Sequence, residues 1–310
     1  MADSIKIGNL DISSFKVGSD DCKIYLGDTL LYPQSTTPNY FRFVAREDGQ
    51  FKLSGNSVSY SLDSGTTWGE LQSDTYSPTV SSGNCIMLKA TNPTLVSGGG
   101  IGRFFSSGQF DVEGNIMSLV YGDDFETATT LTNNGQFRSL FDSNTNVINA
   151  SGLTIPSSNV PQNGYRSMFY GCSSLVTAPT VFPATTLGES CYKYTFSGCT
   201  SLTTAPELPA TTLQTQCYEY MFSYCISLTT APDINASILP YRSCRYMFSY
   251  CHNLNYIKCL ATDISATQCT TNWVAHVASS GTFRKNPNMT SWPTGANGIP
   301  NNWQIQDYGS

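Results

Sequence analysis

At 310 residues the chain has room for two or three domains, or for one solenoid with appendages. Charged residues make up only 12% of it, while Ser, Thr, Asn, Tyr and Gly are abundant. The net charge of −6 excludes an electrostatic footprint for nucleic acid, and no run of Lys and Arg exists to hold an anionic membrane. No apolar stretch reaches the roughly 18 residues that a membrane-spanning helix needs.

The opening Met1-Ala-Asp-Ser-Ile-Lys has no basic start followed by an apolar run and a cleavage site. The expectation is a chain made in a cytoplasm and not exported by a standard signal. Three short alternating runs follow: Ile5-Lys-Ile-Gly8, Phe15-Lys-Val-Gly18 and Ile24-Tyr-Leu-Gly27. Each is too short to be stable alone, and its apolar pair (Ile5/Ile7, Phe15/Val17, Ile24/Leu26) suits pairing with a larger body. Residues 1–33 are therefore read as an anchoring or oligomerisation segment. They resemble the N-terminal segments of virion structural proteins of Bacteroidales phages, the crAss-like phages among them. That resemblance implies attachment to other virion proteins of capsid or tail, and self-association, with a homotrimer favoured. Ser19-Asp20-Asp21 lacks calcium-loop spacing and reads as a turn. The stretch Pro33 to Pro38 reads as a stiff linker, placed at 34–39.

Residues 40–125 read as a β-rich, sandwich-like module. Phe41, Phe43, Phe51 and Leu53 alternate with polar residues, as do Val58 and Tyr60, and Cys85-Ile-Met-Leu-Lys and Phe110-Asp-Val supply further strands. Ser61-Leu-Asp63-Ser-Gly65-Thr-Thr-Trp68 matches the Asp-box pattern of sialidases. A single copy without an arginine cluster is read as a hairpin turn made by Asp and Gly and buttressed by Trp. Asp123-Asp124 sits in a turn-like stretch, and nothing sets those carboxylates across a cleft. Gly98-Gly-Gly-Ile-Gly102 lacks the Gly-Lys-Ser/Thr of a phosphate loop and reads as a flexible loop.

The strongest signal is a repeat. Tyr165-Arg-Ser-Met-Phe-Tyr-Gly-Cys172, Tyr192-Lys-Tyr-Thr-Phe-Ser-Gly-Cys199, Tyr218-Glu-Tyr-Met-Phe-Ser-Tyr-Cys225 and Cys244-Arg-Tyr-Met-Phe-Ser-Tyr-Cys251 align without gaps. Their anchors Phe169, Phe196, Phe222 and Phe248 are 27, 26 and 26 residues apart. A cysteine stands three residues after each anchor, and Leu175, Leu202, Leu228 and Leu254 stand six after. Ala-Pro and then Pro-Ala-Thr-Thr-Leu follow in the earlier units, and a degenerate unit fits at Phe141 with Asn144 in the cysteine slot. One unit cannot close a core, so neighbours stack and their Phe, Leu and Cys side chains form internal ladders.

An Asn/Cys slot followed by leucine at this period is the mark of leucine-rich repeats. The wording of the units resembles the BspA-like subfamily over roughly residues 137–269. The resemblance implies a leucine-rich-repeat solenoid, placed at 126–277, and a surface or adhesion role; the preceding β-module is similar to those found ahead of such repeats. With no Cys-x-x-Cys pair and only His252 and His276, no metal or cofactor is expected. Cys172, Cys199, Cys225 and Cys251 are read as one buried column, and Cys191 and Cys217 as a second, with Cys244 one residue out of register. All are read as reduced. His252 reads as a solvated edge residue.

Tyr194, Tyr220 and Tyr246 recur two residues before the anchor, and Tyr224 and Tyr250 two after it. Two readings compete: exposed rows that bind sugar rings or a protein, and rings packed between coils. Beyond Cys269 the repeat fades. Thr271–Val277 reads as a short helix, and Gly281-Thr-Phe-Arg-Lys and Gly298 to Ile305 as strands of a cap over 278–310. The sequence thus points to a mainly β, non-enzymatic protein: a head-fibre or tail-fibre type protein on the virion surface, displaying its repeats to a host-surface glycan or protein. A bacterial adhesin with BspA-like repeats is the alternative, and a sialidase-like glycosidase rests on one motif alone.

Overall fold

In a computed structural model of the chain, residues 38–96 and 100–309 are described, and of the first 37 only the backbone of five short strands. The chain divides into two compact units, Met1–Asn39 and Tyr40–Ser310. In the first, β1 (Lys6–Ile7) pairs antiparallel with β2 (Leu10–Asp11), and β3 (Lys16–Val17), β4 (Cys22–Leu26) and β5 (Thr29–Tyr32) form a meander. The sequence reading had three separate strands with open backbone. Leu10–Asp11 and Thr29–Tyr32 correct it, because the first pairs with Lys6–Ile7 and the second with Cys22–Leu26. Ile7, Val17, Ile24 and Leu26 lie on these strands; Ile5, Phe15, Ser19–Asp21, Pro33 and the linker residues Gln34–Thr37 lie outside the described residues.

The second unit opens with β6 (Phe41–Ala45), β7 (Phe51–Ser54), β8 (Val58–Ser61), β9 (Gly69–Leu71), β10 (Cys85–Lys89), β11 (Arg103–Ser106) and β12 (Phe110–Asn115). The buried–half-buried alternation of β6 and β7 follows from Phe41, Phe43, Phe51 and Leu53 facing one side. A six-stranded sheet runs β13-β12-β6-β10-β8-β9, where β13 (Val147–Thr154) belongs to the first coil of the repeat region; β7 and β11 form a two-stranded sheet of their own. Rings from both sheets meet: Phe43 lies 4.9 Å from Phe51 and Phe104 and 4.7 Å from Phe110. A single-turn helix, α1 (Ser118–Tyr121), follows β12.

From there the chain winds as a β-solenoid of about six turns. Phe141, Phe169, Phe196, Phe222 and Phe248 stack ring on ring at 5.1, 5.4, 5.5 and 5.8 Å, with planes within 12°. The ladder runs back into the preceding sheets, since Phe104 stacks on Phe141 at 5.9 Å and on Phe41 at 5.8 Å. Tyr165, Tyr192 and Tyr218 make a second buried ladder, and Leu175, Leu202, Leu228 and Leu254 are fully enclosed. Parallel bridges link the coils at Asn149, Thr177 and Thr204, and at Thr230 and Tyr256.

The segment before each cysteine slot is a ribbon of turns. Tyr192, Tyr194, Phe196 and Gly198 donate their N–H groups to carbonyls of the next coil at 2.8–3.0 Å. The residues between them, Lys193, Thr195, Ser197 and Cys199, donate to carbonyls three positions back at 3.0–3.2 Å. Every amide from Tyr192 to Cys199 is thereby satisfied. Every fourth residue turns left-handed to keep the alternation going: Ser190 (φ 56°), Tyr194 (61°) and Gly198 (80°), then Gln216, Tyr220 and Tyr224, then Arg242, Tyr246 and Tyr250.

The same pattern overturns the helix at Thr271–Val277. Gln268, Asn272 and His276 have φ of 58°, 51° and 61°, which no right-handed helix accommodates. Phe248 donates to the Trp273 carbonyl at 2.8 Å and Tyr250 to that of Ala275, so this is a further coil, with Val274 in the anchor slot and Trp273 in that of Met247. The tail continues the winding: β16 (Tyr256–Cys259), β17 (Thr282–Lys285) and β18 (Gln304–Asp307) form one parallel sheet. Residues 298–303, read as part of a strand, carry only one bridge, at Ile299.

Candidate functional site

The cysteines lie inside. Cys172, Cys199, Cys225 and Cys251 are fully buried, and each thiol donates to an anchor-phenylalanine carbonyl of the preceding coil at 3.0–3.1 Å. The described cysteines are all free thiols. Ser243 takes the place in register with Cys217, one residue before Cys244, as the bond from Tyr218 N–H to the Ser243 carbonyl fixes. Burial pushes these thiols up, to about 12 for Cys251 and Cys259. They are packing groups, unsuited to nucleophilic chemistry.

The tyrosine rows lie outside. The left-handed backbone at Tyr194, Tyr220 and Tyr246 turns their rings onto the surface of the ribbon, half-buried, while the core ladder is built from Tyr165, Tyr192 and Tyr218 instead. Tyr194 stacks on Tyr220 at 4.8 Å and Tyr220 on Tyr246 at 4.6 Å, with planes within 18°. Tyr224 stacks on Tyr250 at 4.6 Å, and His276 prolongs this row at 4.4 Å. With faces covered by one another, the rings present edges and hydroxyls. Tyr224 begins its row, because the same slot in the two preceding coils holds Gly198 and Gly171; a Cβ at Gly198 would meet nothing nearer than the backbone of Gly171 at 3.4 Å. Burial raises the Tyr194 and Tyr220 phenols, so both stay protonated at neutral pH.

Sequence reasoning missed the column beside the first row. Arg138, Arg166, Lys193, Glu219 and Arg245 occupy one slot in successive coils, three residues before the anchor. Glu219 is 1% exposed and is held by Lys193 at 2.5 Å, Arg245 at 3.1 Å and the Gln216 amide at 2.9 Å. Lys193 and Arg245 also lie 5.5 and 5.0 Å from the ring centres of Tyr194 and Tyr246. Burial, and then the neighbouring Arg138, lower the Arg166 guanidinium. The alignment that revealed the tyrosines also holds this column, one residue earlier in each unit.

No family model, no curated protein and no solved structure matches the chain.

The Asp-box segment joins β8 to β9 as a hairpin. The Ser61 hydroxyl meets Asp63 at 2.7 Å and accepts from Gly65 N–H at 2.9 Å, and Asp63 accepts from Thr67 N–H and hydroxyl at 2.9 and 2.6 Å. The Trp68 indole closes it on the Gly65 carbonyl at 3.0 Å. Bonds from Thr67 hold the Asp63 carboxyl at about 2. Asp123 is engaged by Lys89 at 2.6 Å and by the Tyr40 hydroxyl. Among the described residues no group of His, Cys, Asp and Glu is placed to hold a metal ion.

Proposed function

We propose that this chain is a non-enzymatic surface protein of a tailed bacteriophage particle, of head-fibre or tail-fibre type. Residues 1–33 attach it to other virion proteins, and a BspA-type leucine-rich-repeat solenoid behind a sandwich-like module meets the host surface. The observation that carries the reading is the ribbon face. A stack of coils holds two tyrosine rows outward at left-handed backbone positions that glycine alone adopts freely. Tyrosine is enriched at recognition surfaces because its ring packs while its hydroxyl stays wet. The division of the chain at Asn39 and Tyr40 suits a protein whose attaching and displaying parts are separate. Trimerisation through the first segment belongs to the same proposal.

Immunogold labelling of purified particles with antibodies to the solenoid tests it, and label on heads or tails is the expected result. Label confined to the bacterial envelope would select the alternative, a cell-surface adhesin with the same repeats.

A further inference from the structure

Cations outnumber acids on one side of the coils. The ribbon face carries Arg138, Arg166, Lys193, Arg242 and Arg245 against Glu189 and the buried Glu219. Asp142, also on this side, is taken by Arg103 at 3.1 Å. Glu207 and Asp263 fall on the bridged strand portions of the coils and Asp233 precedes the bridge at Ile234, a side where Lys258 and Lys285 are spent on Asp233 and Asp307 and Arg284 adds a third cation. A protein of net charge −6 therefore shows a basic stripe along its solenoid. Arg138 and Arg166 make no salt bridge among the described residues, Arg166 donating only to the Asn163 side chain at 3.3 Å, and Arg245, held by Glu219, keeps its Nε buried without a hydrogen-bond partner. Four of the five coils set a cation in this slot, with Glu219 interrupting the run, and a row of that length suits a polymer laid along the axis better than a single small anion.

The adjoining tyrosine row narrows the class. With ring centres 4.6–4.8 Å apart its faces are closed, so neither a nucleobase nor a sugar ring can slip between them. Single-stranded nucleic acid is held by a basic groove together with stacking on open rings, and this row offers hydroxyl edges instead of open faces between its rings. We propose that the ribbon face binds a linear polysaccharide bearing oxyanions, carboxylate or sulfate. Its charges rest on Arg138 and Arg166, with Lys193 and Arg245 shared with Glu219, and its hydroxyls on the edges of Tyr194, Tyr220 and Tyr246. The proposal rests on reading the ribbon face as a contact surface.

The test is affinity electrophoresis of the full chain through gels carrying polygalacturonate, dextran sulfate, neutral dextran or oligo(dT). Retention by an acidic polysaccharide and not by dextran is expected, falling steeply as salt rises because exposed charges are screened. The retained polymer tells carboxylate from sulfate. R138Q with R166Q should weaken retention roughly tenfold, the worth of two surface ion pairs made by half-buried arginines, with little change in melting temperature. K258Q, on a strand portion, should leave retention as it was. Equal retention by dextran would overturn the charge-based inference and leave the contact surface standing. No retention by any polysaccharide would remove both, and preferential retention by oligo(dT) would replace the ligand class. Should the double variant fail to fold, the salt dependence of the unaltered chain decides.

Discussion

Tyr194, Tyr220, Tyr224, Tyr246 and Tyr250 stand at φ between 54° and 64°. A left-handed conformation costs an L-residue about 1–2 kcal/mol, whereas glycine adopts it freely. Stacking returns part of this, since an aromatic pair contributes roughly 0.5–1.5 kcal/mol. Tyr220 has two stacked neighbours and Tyr224 only one, with Gly198 on its other side. Tyr224→Gly should therefore change the unfolding free energy by less than about 1 kcal/mol, as backbone relief offsets one lost pair. Tyr220→Ala keeps the strained backbone and loses two pairs, so a loss of about 1–3 kcal/mol is expected. Urea denaturation of both variants checks the ranking. A larger loss for Tyr224→Gly would mean that its ring has a partner beyond Tyr250.

At the scale of elements, the coil around Trp273 closes the ladder. Its ring is fully buried, its indole N–H donates to the Gly298 carbonyl at 2.8 Å, and Trp292 stacks on it at 5.6 Å. Trp273→Ala should cost about 3–5 kcal/mol locally. In a stack where each unit touches only its neighbours, the damage stays near that end. Hydrogen exchange should quicken over Thr282–Lys285 while the amides around Phe169 and Phe196 keep their protection. Uniform loss of protection would show that the coils unfold as one block.

This coil also marks how far the sequence could be read. The Phe, Cys and Leu columns were legible because identical residues recur at nearly constant spacing. Thr271–Val277 was not, because Trp273, Val274 and Val277 imitate the three- and four-residue spacing of a helix. Only alignment of Asn272 and His276 with Tyr246 and Tyr250 gives the left-handed positions away. Leu10–Asp11 and Thr29–Tyr32 were passed over because each lacks the glycine-ended pattern of its neighbours. The tyrosines were found but their side was not, since pattern alone does not say which face of a ribbon turns inward. Glu219 was invisible as a buried charge, because its partners Lys193 and Arg245 lie 26 residues away on either side.

For the whole molecule, the enclosed thiols set a limit at alkaline pH. An unfolded cysteine ionises near pH 8.5, while burial raises Cys172, Cys191, Cys199, Cys217, Cys225 and Cys244 and holds Cys251 and Cys259 up to about 12. Above pH 8.5 the unfolded chain releases protons that the folded chain keeps, so stability that is complete below that value drains away as pH climbs toward 12. Melting temperature should hold from pH 6 to 8 and then fall increasingly steeply. A flat profile to pH 10 would mean that these thiols are in contact with water.

The stacked columns make length a variable that changes in whole steps. From Phe196 to Phe222, and again from Phe222 to Phe248, the spacing is 26 residues. Excising one such period sets the Phe, Cys and Leu rungs on either side of the cut directly upon each other and removes one rung from the tyrosine and arginine columns. Excising half a period would press the exposed strand portion of one coil against the ribbon of the next, and no column would survive. Gene rearrangement acting on this chain is thus offered a discrete ruler, on which the span of the outer face is counted in coils while the interior is unchanged at every mark.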